Sequence, residues 1–233
     1  MAPGWMDGLL GGPQRRRDRA RATAQGPLAD FYTAEWPTAT TPADELRLLA
    51  IDLETTGLDP ASDRALSVGF VPVDGTDVVL AGARHLIIRA ATDVGQSAVV
   101  HHLTDDMIAA GAPMVDVLTD TLAALRGRVL LAHFASIEVQ FLSRACEHLF
   151  GAPLVVPTID TLELHRRLLS QGFDDEARGN QLRLWNARER YGLPVYAAHE
   201  ALTDALACAE LYLAQAAEMS SLKPQTYRSL RSG

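Results

Sequence analysis

From about residue 45 onward, apolar positions fall into two periods, one of a strand and one of a helix. Leu48-Leu49-Ala50-Ile51 is an unbroken apolar run, which predicts a buried strand, and Asp52-Leu53-Glu54-Thr55-Thr56-Gly57 follows it directly. After the turn at Leu58-Asp59-Pro60, residues Ala65 to Val73 read as a second strand. Asp74-Gly75 signals a hairpin, and Val78 to Arg89 reads as a third strand. Three strands joined by short turns predict an antiparallel meander.

Helical spacing takes over afterwards. Thr104 is an N-cap candidate ahead of two acids, and that helix ends near Gly111. Val115, Leu118, Leu122 and Leu125 share one helical face. Val129 to Ala132 is a short buried strand, Ser136 to Phe150 a helix, Pro153 to Ile159 a strand and Leu162 to Leu169 a helix. Gly172 to Gly179 is a polar loop, Asn180 caps a helix that stops at Gly192, and the last helix runs from about Glu200 to Met219. Strands first, then alternating helix and strand, place the chain in the α/β class, with a mixed central sheet flanked by helices.

The ends differ from this middle. Residues 1–43 carry little apolar periodicity, and in the first thirty Arg15, Arg16, Arg17, Arg19 and Arg21 outnumber Asp7, Asp18 and Asp30, so the stretch reads as a basic, partly disordered tail. Residues 44–220 form the expected domain, and 221–233 a fraying C-terminal tail. With 233 residues and 48% hydrophobic content, one core of good size is expected. No apolar run is long enough for a membrane span, and Met1 to Gly12 has no secretory pattern. Cys146 and Cys208 sit in helical patterns outside any C-x-x-C pair, as buried small hydrophobes, which fits a reducing, cytoplasmic compartment. The net charge of −8 argues against a chain-wide cationic surface, yet a catalytic carboxylate cluster is itself a source of negative charge.

Asp52 and Glu54 are that cluster's first half. At i and i+2 on a strand their side chains share a face, where two carboxylates stay ionised only with a positive partner, and a divalent cation fits. The bland alternative is a strand that ends at solvent in turn residues. Two later segments supply further acids. His133-Phe134-Ala135-Ser136-Ile137-Glu138 carries a strand into a helix whose first turn presents Glu138. His199-Glu200-Ala201-Leu202-Thr203-Asp204 carries a histidine and an acid that cannot share a helical face, so His199 belongs in the loop before the helix, folded back over the site that Asp204 faces. His101-His102, adjacent on an extended segment, point to opposite faces and read as a wall of the site rather than a metal pair.

D-x-E-T-T-G, then H-x-A-x-x-acid-x-x-F-L, then H-x-A-x-x-D-A, in that order, resembles the DEDDh group of 3′→5′ exonucleases, which includes the proofreading subunit of bacterial DNA polymerase III. Val100-His101-His102-Leu103-Thr104 and Ile159-Asp160-Thr161-Leu162 are similar to two further segments of that group. The resemblance implies a ribonuclease H-like fold, hydrolysis of terminal phosphodiesters with two Mg²⁺ or Mn²⁺ ions, and a nucleic-acid partner, with a single-stranded DNA 3′ end favoured. It implies that Asp52, Glu54, Glu138 and Asp204 are metal ligands and His199 the general base. Backbone near Thr55, with Leu58, His133 and Phe141, is implied to line the pocket of the terminal nucleotide. A polymerase or regulatory-domain partner and a dimer are compatible with it.

Two positions depart from the group. Glu138 stands where it has Asp, and Phe134 where Asn follows the histidine. A carboxylate one methylene longer keeps its chemistry and changes its reach, which puts metal preference and rate in question and makes Mn²⁺ a reasonable favourite. Two alternatives stay open on sequence. One is an exoribonuclease, against which Thr55 weighs in place of the Met common in oligoribonucleases. The other is a non-catalytic nucleic-acid-binding module on a nuclease fold.

Overall fold

A computed structural model describes residues 12–89, 104–169, 178–197 and 199–232. The His101-His102 pair and most of the Gly172–Gly179 loop lie outside them. Two helices come first, α1 (Pro13–Thr23) and α2 (Gly26–Phe31). The meander follows as β1 (Arg47–Thr55), β2 (Ala65–Asp74), β3 (Asp77–Val78) and β4 (Arg84–Ile87). Then come α3 (Asp105–Ala109), α4 (Met114–Leu125), β5 (Val129–Ala132), α5 (Ser136–Phe150), β6 (Thr158–Asp160) and α6 (Thr161–Leu169). The last elements are α7 (Arg178–Gln181), α8 (Leu184–Glu189), α9 (Ala201–Leu222) and α10 (Tyr227–Leu230).

Among the described residues one mixed sheet runs β3-β2-β1-β5-β6, with β4 also paired to β2. β2 is antiparallel to β1, and β5 and β6 are parallel to it in turn. The α/β architecture with an antiparallel start is therefore the one expected. Odd residues of β1, Leu49, Ile51 and Leu53, join the core under α2, α4 and α5. Even residues Leu48 and Ala50 join the other core, under α6 and α9. This alternation follows from the two-residue period of a strand, and it sends Asp52 and Glu54 toward α9.

Several boundaries differ from the sequence reading. The third strand is split at a 3₁₀ turn, Leu80–Gly82. Pro72 on β2 accepts from the Val79 amide but has no N–H to return, so the ladder cannot continue past it. Strand β6 is confined to three residues because the segment before it is engaged elsewhere: the Tyr32 hydroxyl donates to the Pro153 carbonyl at 2.7 Å and accepts from the Val155 amide at 2.8 Å. The helix expected from Asn180 to Gly192 is two short ones, α7 and α8.

The described part of the N-terminal stretch is docked rather than loose. Leu28, Phe31 and Tyr32 are buried, and the Gln25 amide donates to the Phe150 carbonyl. Arg17 turns inward, its guanidinium 4.5 Å over the Trp36 ring and donating to the Tyr32 and Ala34 carbonyls. The C-terminal stretch docks too. Thr226 and Ser229 form a capping box for α10, Leu230 is buried, and the Ser232 amide donates to the Thr158 carbonyl. A handful of buried apolar side chains and backbone hydrogen bonds to the domain order segments whose composition reads as solvated.

Candidate active site

The site lies at the C-terminal end of β1. Asp52 and Glu54 stand on the face that α9 covers, and α9 presents Asp204 from its first turn. One ligand oxygen from each of Asp52, Glu54 and Asp204 lies within 4.8 Å of the other two. What lets the helix come so close is Gly69, the β2 partner of Asp52. A Cβ there would sit 2.1 Å from the Ala201 carbonyl carbon and the Leu202 nitrogen, so only a residue without a side chain admits the start of α9. Sequence reasoning passed over Gly69, although an isolated glycine inside a strand pattern is a signal of close backbone approach.

Glu138 reaches the site from the opposite layer, off the first turn of α5. It is buried at 4% exposure, and its Oε2 has no hydrogen-bond partner. Asp204 Oδ1 is likewise buried without a partner, while Oδ2 accepts from the His199 amide at 3.1 Å. Burial raises all four acids. Asp52 is pushed well above the usual carboxylate range, first by burial and then by Glu138, Asp204 and Glu54. Burial, helped by Asp204 and Glu200, lifts Glu54 to about 7. Burial lifts Glu138 to about 8, with Asp160 adding to it, and Asp204 is raised mainly by burial against the opposing pull of the His199 amide.

Enclosed oxygens that repel one another, two of them lacking any donor, make a donor set suited to a hard divalent cation. The trio Asp52, Glu54 and Asp204 forms the tight group; Glu138 stands beside it as a neighbour of Asp52.

His199 lies outside α9, as its spacing with Asp204 requires, and is exposed at φ 70°. That positive φ turns its amide back onto the Asp204 carboxylate. Of the residues expected around a terminal nucleotide, Leu58 is 73% exposed on the loop after β1. The Thr55 hydroxyl is spent on the Gly57 carbonyl at 2.6 Å, closing the turn. Phe141 is packed in the core under α4 and α5. His133 has both ring nitrogens engaged, Nδ1 with the Thr161 hydroxyl and Nε2 with the Leu182 carbonyl, both at 2.8 Å. A carbonyl only accepts, so Nε2 carries the proton and Nδ1 accepts from Thr161, and burial lowers the ring's pKa in keeping with that neutral form. The structure thus gathers the four acids and His199, leaves Leu58 open, and ties His133 and Phe141 into the scaffold.

Asp160 is the functional neighbour that pattern reading undervalued. Its carboxylate accepts from the Phe134, Ala135 and Leu162 amides at 2.9, 3.1 and 2.9 Å, locking the turn from β5 into α5 that carries Glu138.

Comparison with known proteins agrees with this geometry. Residues 49–212 match the profile of the RNase T-type exonuclease family. The DNA polymerase III subunit epsilon of Treponema pallidum is 31% identical over 169 residues, which cover 72% of this chain and 76% of that protein. The PolC-type DNA polymerase III of Thermotoga maritima is 28% identical over 166 residues, 71% of this chain but only 11% of that much longer protein. Among solved structures, exonuclease X in complex with 5′ overhanging duplex DNA superposes with a TM-score of 0.57 at 22% identity, covering 75% of this chain and 93% of that one. E. coli exonuclease I in complex with a dT13 oligonucleotide gives 0.61 at 15% identity, covering 76% and 42%. These two similarities speak for the fold, and the profile match and the epsilon relative for the lineage: the protein belongs to the exonuclease family of DEDD-type 3′→5′ exonucleases, built on a ribonuclease H-like fold.

Proposed function

We propose that the protein is a metal-dependent exonuclease that removes nucleotides from single-stranded or frayed 3′ ends of DNA, in repair or proofreading. The observation that carries this reading is the convergence of Asp52, Glu54 and Asp204 oxygens within 4.8 Å in a partly buried site. These three, with Glu138 beside Asp52, would hold two Mg²⁺ or Mn²⁺ ions. Bound there, such ions supply Lewis-acid stabilisation of phosphoryl charge and make water a stronger nucleophile.

The chain's own residues do the rest. His199, exposed at the rim and fixed through its amide to Asp204, accepts the proton of the attacking water as general base. Leu58 packs against the terminal base or sugar, and backbone near Thr55 positions the terminal nucleotide. Asp160 holds the Glu138-bearing helix in place. The preference for DNA is supported by Thr55 and by the DNA polymerase subunits among the relatives, whose names also favour a polymerase as partner.

A short 5′-labelled DNA oligonucleotide incubated with Mg²⁺ or Mn²⁺ tests the reading, beside an RNA of the same sequence. A ladder shortening from the 3′ end is expected, faster on DNA, abolished by chelation and by Asp52→Ala. His199→Ala should lose on the order of 100-fold or more in kcat while keeping metal affinity. Immediate release of the labelled 5′ nucleotide, or cleavage undiminished in Asp52→Ala, would overturn it.

A further inference from the structure

The catalytic reading leaves the arginines of α1 without a task. This helix precedes the start of the family match at residue 49, so nothing about it follows from membership. Its Arg16 and Arg19 border open space that α5 residues Val139, Arg144 and Glu147 border from the other side, on the face away from Glu138, and two clefts open there. The first, about 790 Å³, is bordered by Arg16, Trp36, Ser136, Asp160 and Arg231. The second, about 700 Å³, is bordered by Arg16, Arg19, Pro60, Ala61, Arg144 and Glu147. Arg16, Val139 and Val155 border both, so the two form one groove with Arg16 at its waist.

The groove is bordered by parts of two elements that also carry site residues. Pro60 and Ala61 belong to the loop that presents Leu58, and Ser136 lies two residues before Glu138 on the turn that Asp160 locks. Arg16 and Arg19, three residues apart, share a face of α1. The side chains of Arg16, Arg19 and Arg144 make no hydrogen bond or ion pair with any other described residue. Arg17, Arg126 and Arg128, by contrast, are spent on carbonyls, a hydroxyl and the Asp74 carboxylate. Of the two acids bordering the groove, Asp160 is committed to backbone amides, and Glu147 alone faces three unpaired guanidiniums. A locally positive groove on a chain of net charge −8 selects an anionic occupant, and guanidinium geometry matches phosphate.

We infer that this groove carries the sugar-phosphate backbone of the substrate strand upstream of the nucleotide being removed. The inference rests on the exonuclease reading, and it adds a strand-holding surface to which α1, before the family match, contributes Arg16 and Arg19. It gives the enzyme a preference for long strands over short ones without touching the chemistry.

The test compares the wild-type chain with Arg16→Ala/Arg19→Ala/Arg144→Ala, three changes confined to surface side chains. With a long oligothymidylate, KM in the variant should rise at least roughly tenfold at physiological salt, and the slope of log KM against log salt should fall by about 2, roughly 0.7 for each phosphate that is no longer neutralised. Hydrolysis of the nitrophenyl ester of thymidine monophosphate, too small to enter the groove, should be unchanged. The triple lysine replacement should keep most of the salt slope. An unchanged KM and slope on the long strand overturn the inference. Anisotropy of a fluorescein-labelled oligothymidylate in EDTA separates it from the catalytic reading: if neither protein hydrolyses anything, weaker binding by the variant upholds the groove and removes only the nuclease, whereas equal binding removes the groove.

Discussion

Phe134 and His199 both hold a left-handed backbone, at φ 73° and 70°, that side chains with a Cβ adopt at a cost. Each marks a place where the chain must turn sharply to bring an acid in. At Phe134 the strain is held by Asp160, which takes the two amides that the turn exposes, and the ring itself is 49% exposed. Asn tolerates this conformation through its short polar side chain, so Phe134→Asn should stabilise the fold by about 1 kcal/mol, read as a higher Tm or denaturant midpoint. A loss of stability would mean that the Phe134 ring contributes more packing than its exposure suggests. The acids were legible at this scale because each lies at a marked position: the end of an apolar strand, or the first turn of a helix. The fates of His133 and Phe141 were not, because whether a side chain faces a pocket or a hydrogen-bond partner depends on Thr161, Leu182 and the α4 packing, all distant in sequence.

At the scale of elements, the decisive contact is between β2 and the start of α9. The strand offers Gly69 opposite Asp52, and the helix settles on it, carrying Asp204 to the two β1 acids. Gly69→Ala introduces a Cβ 2.1 Å from helix backbone, which cannot rotate away as a side chain would. The helix must lift, at a cost of about 1–3 kcal/mol in stability. Metal affinity and kcat should fall with it, since three segments share one site, and a folded Gly69→Ala variant with undiminished metal binding would show that Asp204 does not depend on that approach. The order and type of the main elements were readable from hydrophobic period, as in Val129–Ala132 and Ser136–Phe150, which the structure reproduces. The breaks were not. Pro72 interrupts a neighbouring strand rather than its own, and Tyr32 draws off the segment before β6 from more than a hundred residues away.

For the molecule as a whole, the acid site works against stability when no cation is bound. Glu54 and Glu138, at about 7 and 8 in the folded chain against an ordinary 4.5, are protonated in the fold over a pH range where the unfolded chain has released those protons. The folded state therefore holds more protons between about pH 4.5 and 8, and stability falls as pH rises through that window. In EDTA, Tm should be higher near pH 5 than near pH 8, saturating Mn²⁺ should abolish most of that difference, and Glu138→Gln should shrink it. A metal-free Tm that is flat or rises over the same range would contradict the assignment of these acids as buried and mutually repelling. Docking of the described N- and C-terminal segments against α5 and β6 extends the fold beyond the family match, and α1 sets Arg16 and Arg19 opposite Arg144.

In the proposed function, acids from β1, α5 and α9 form one divalent-cation site. Calorimetric titration of Mn²⁺ into the chelator-treated chain near pH 8 tests it most directly. Two ions bound per chain are expected in the wild type, with binding lost in Asp52→Asn and weakened in Asp204→Asn and Glu138→Gln. Wild-type protein that takes up no Mn²⁺, or an Asp52→Asn variant that binds it as the wild type does, would rule out a cation site built on these acids.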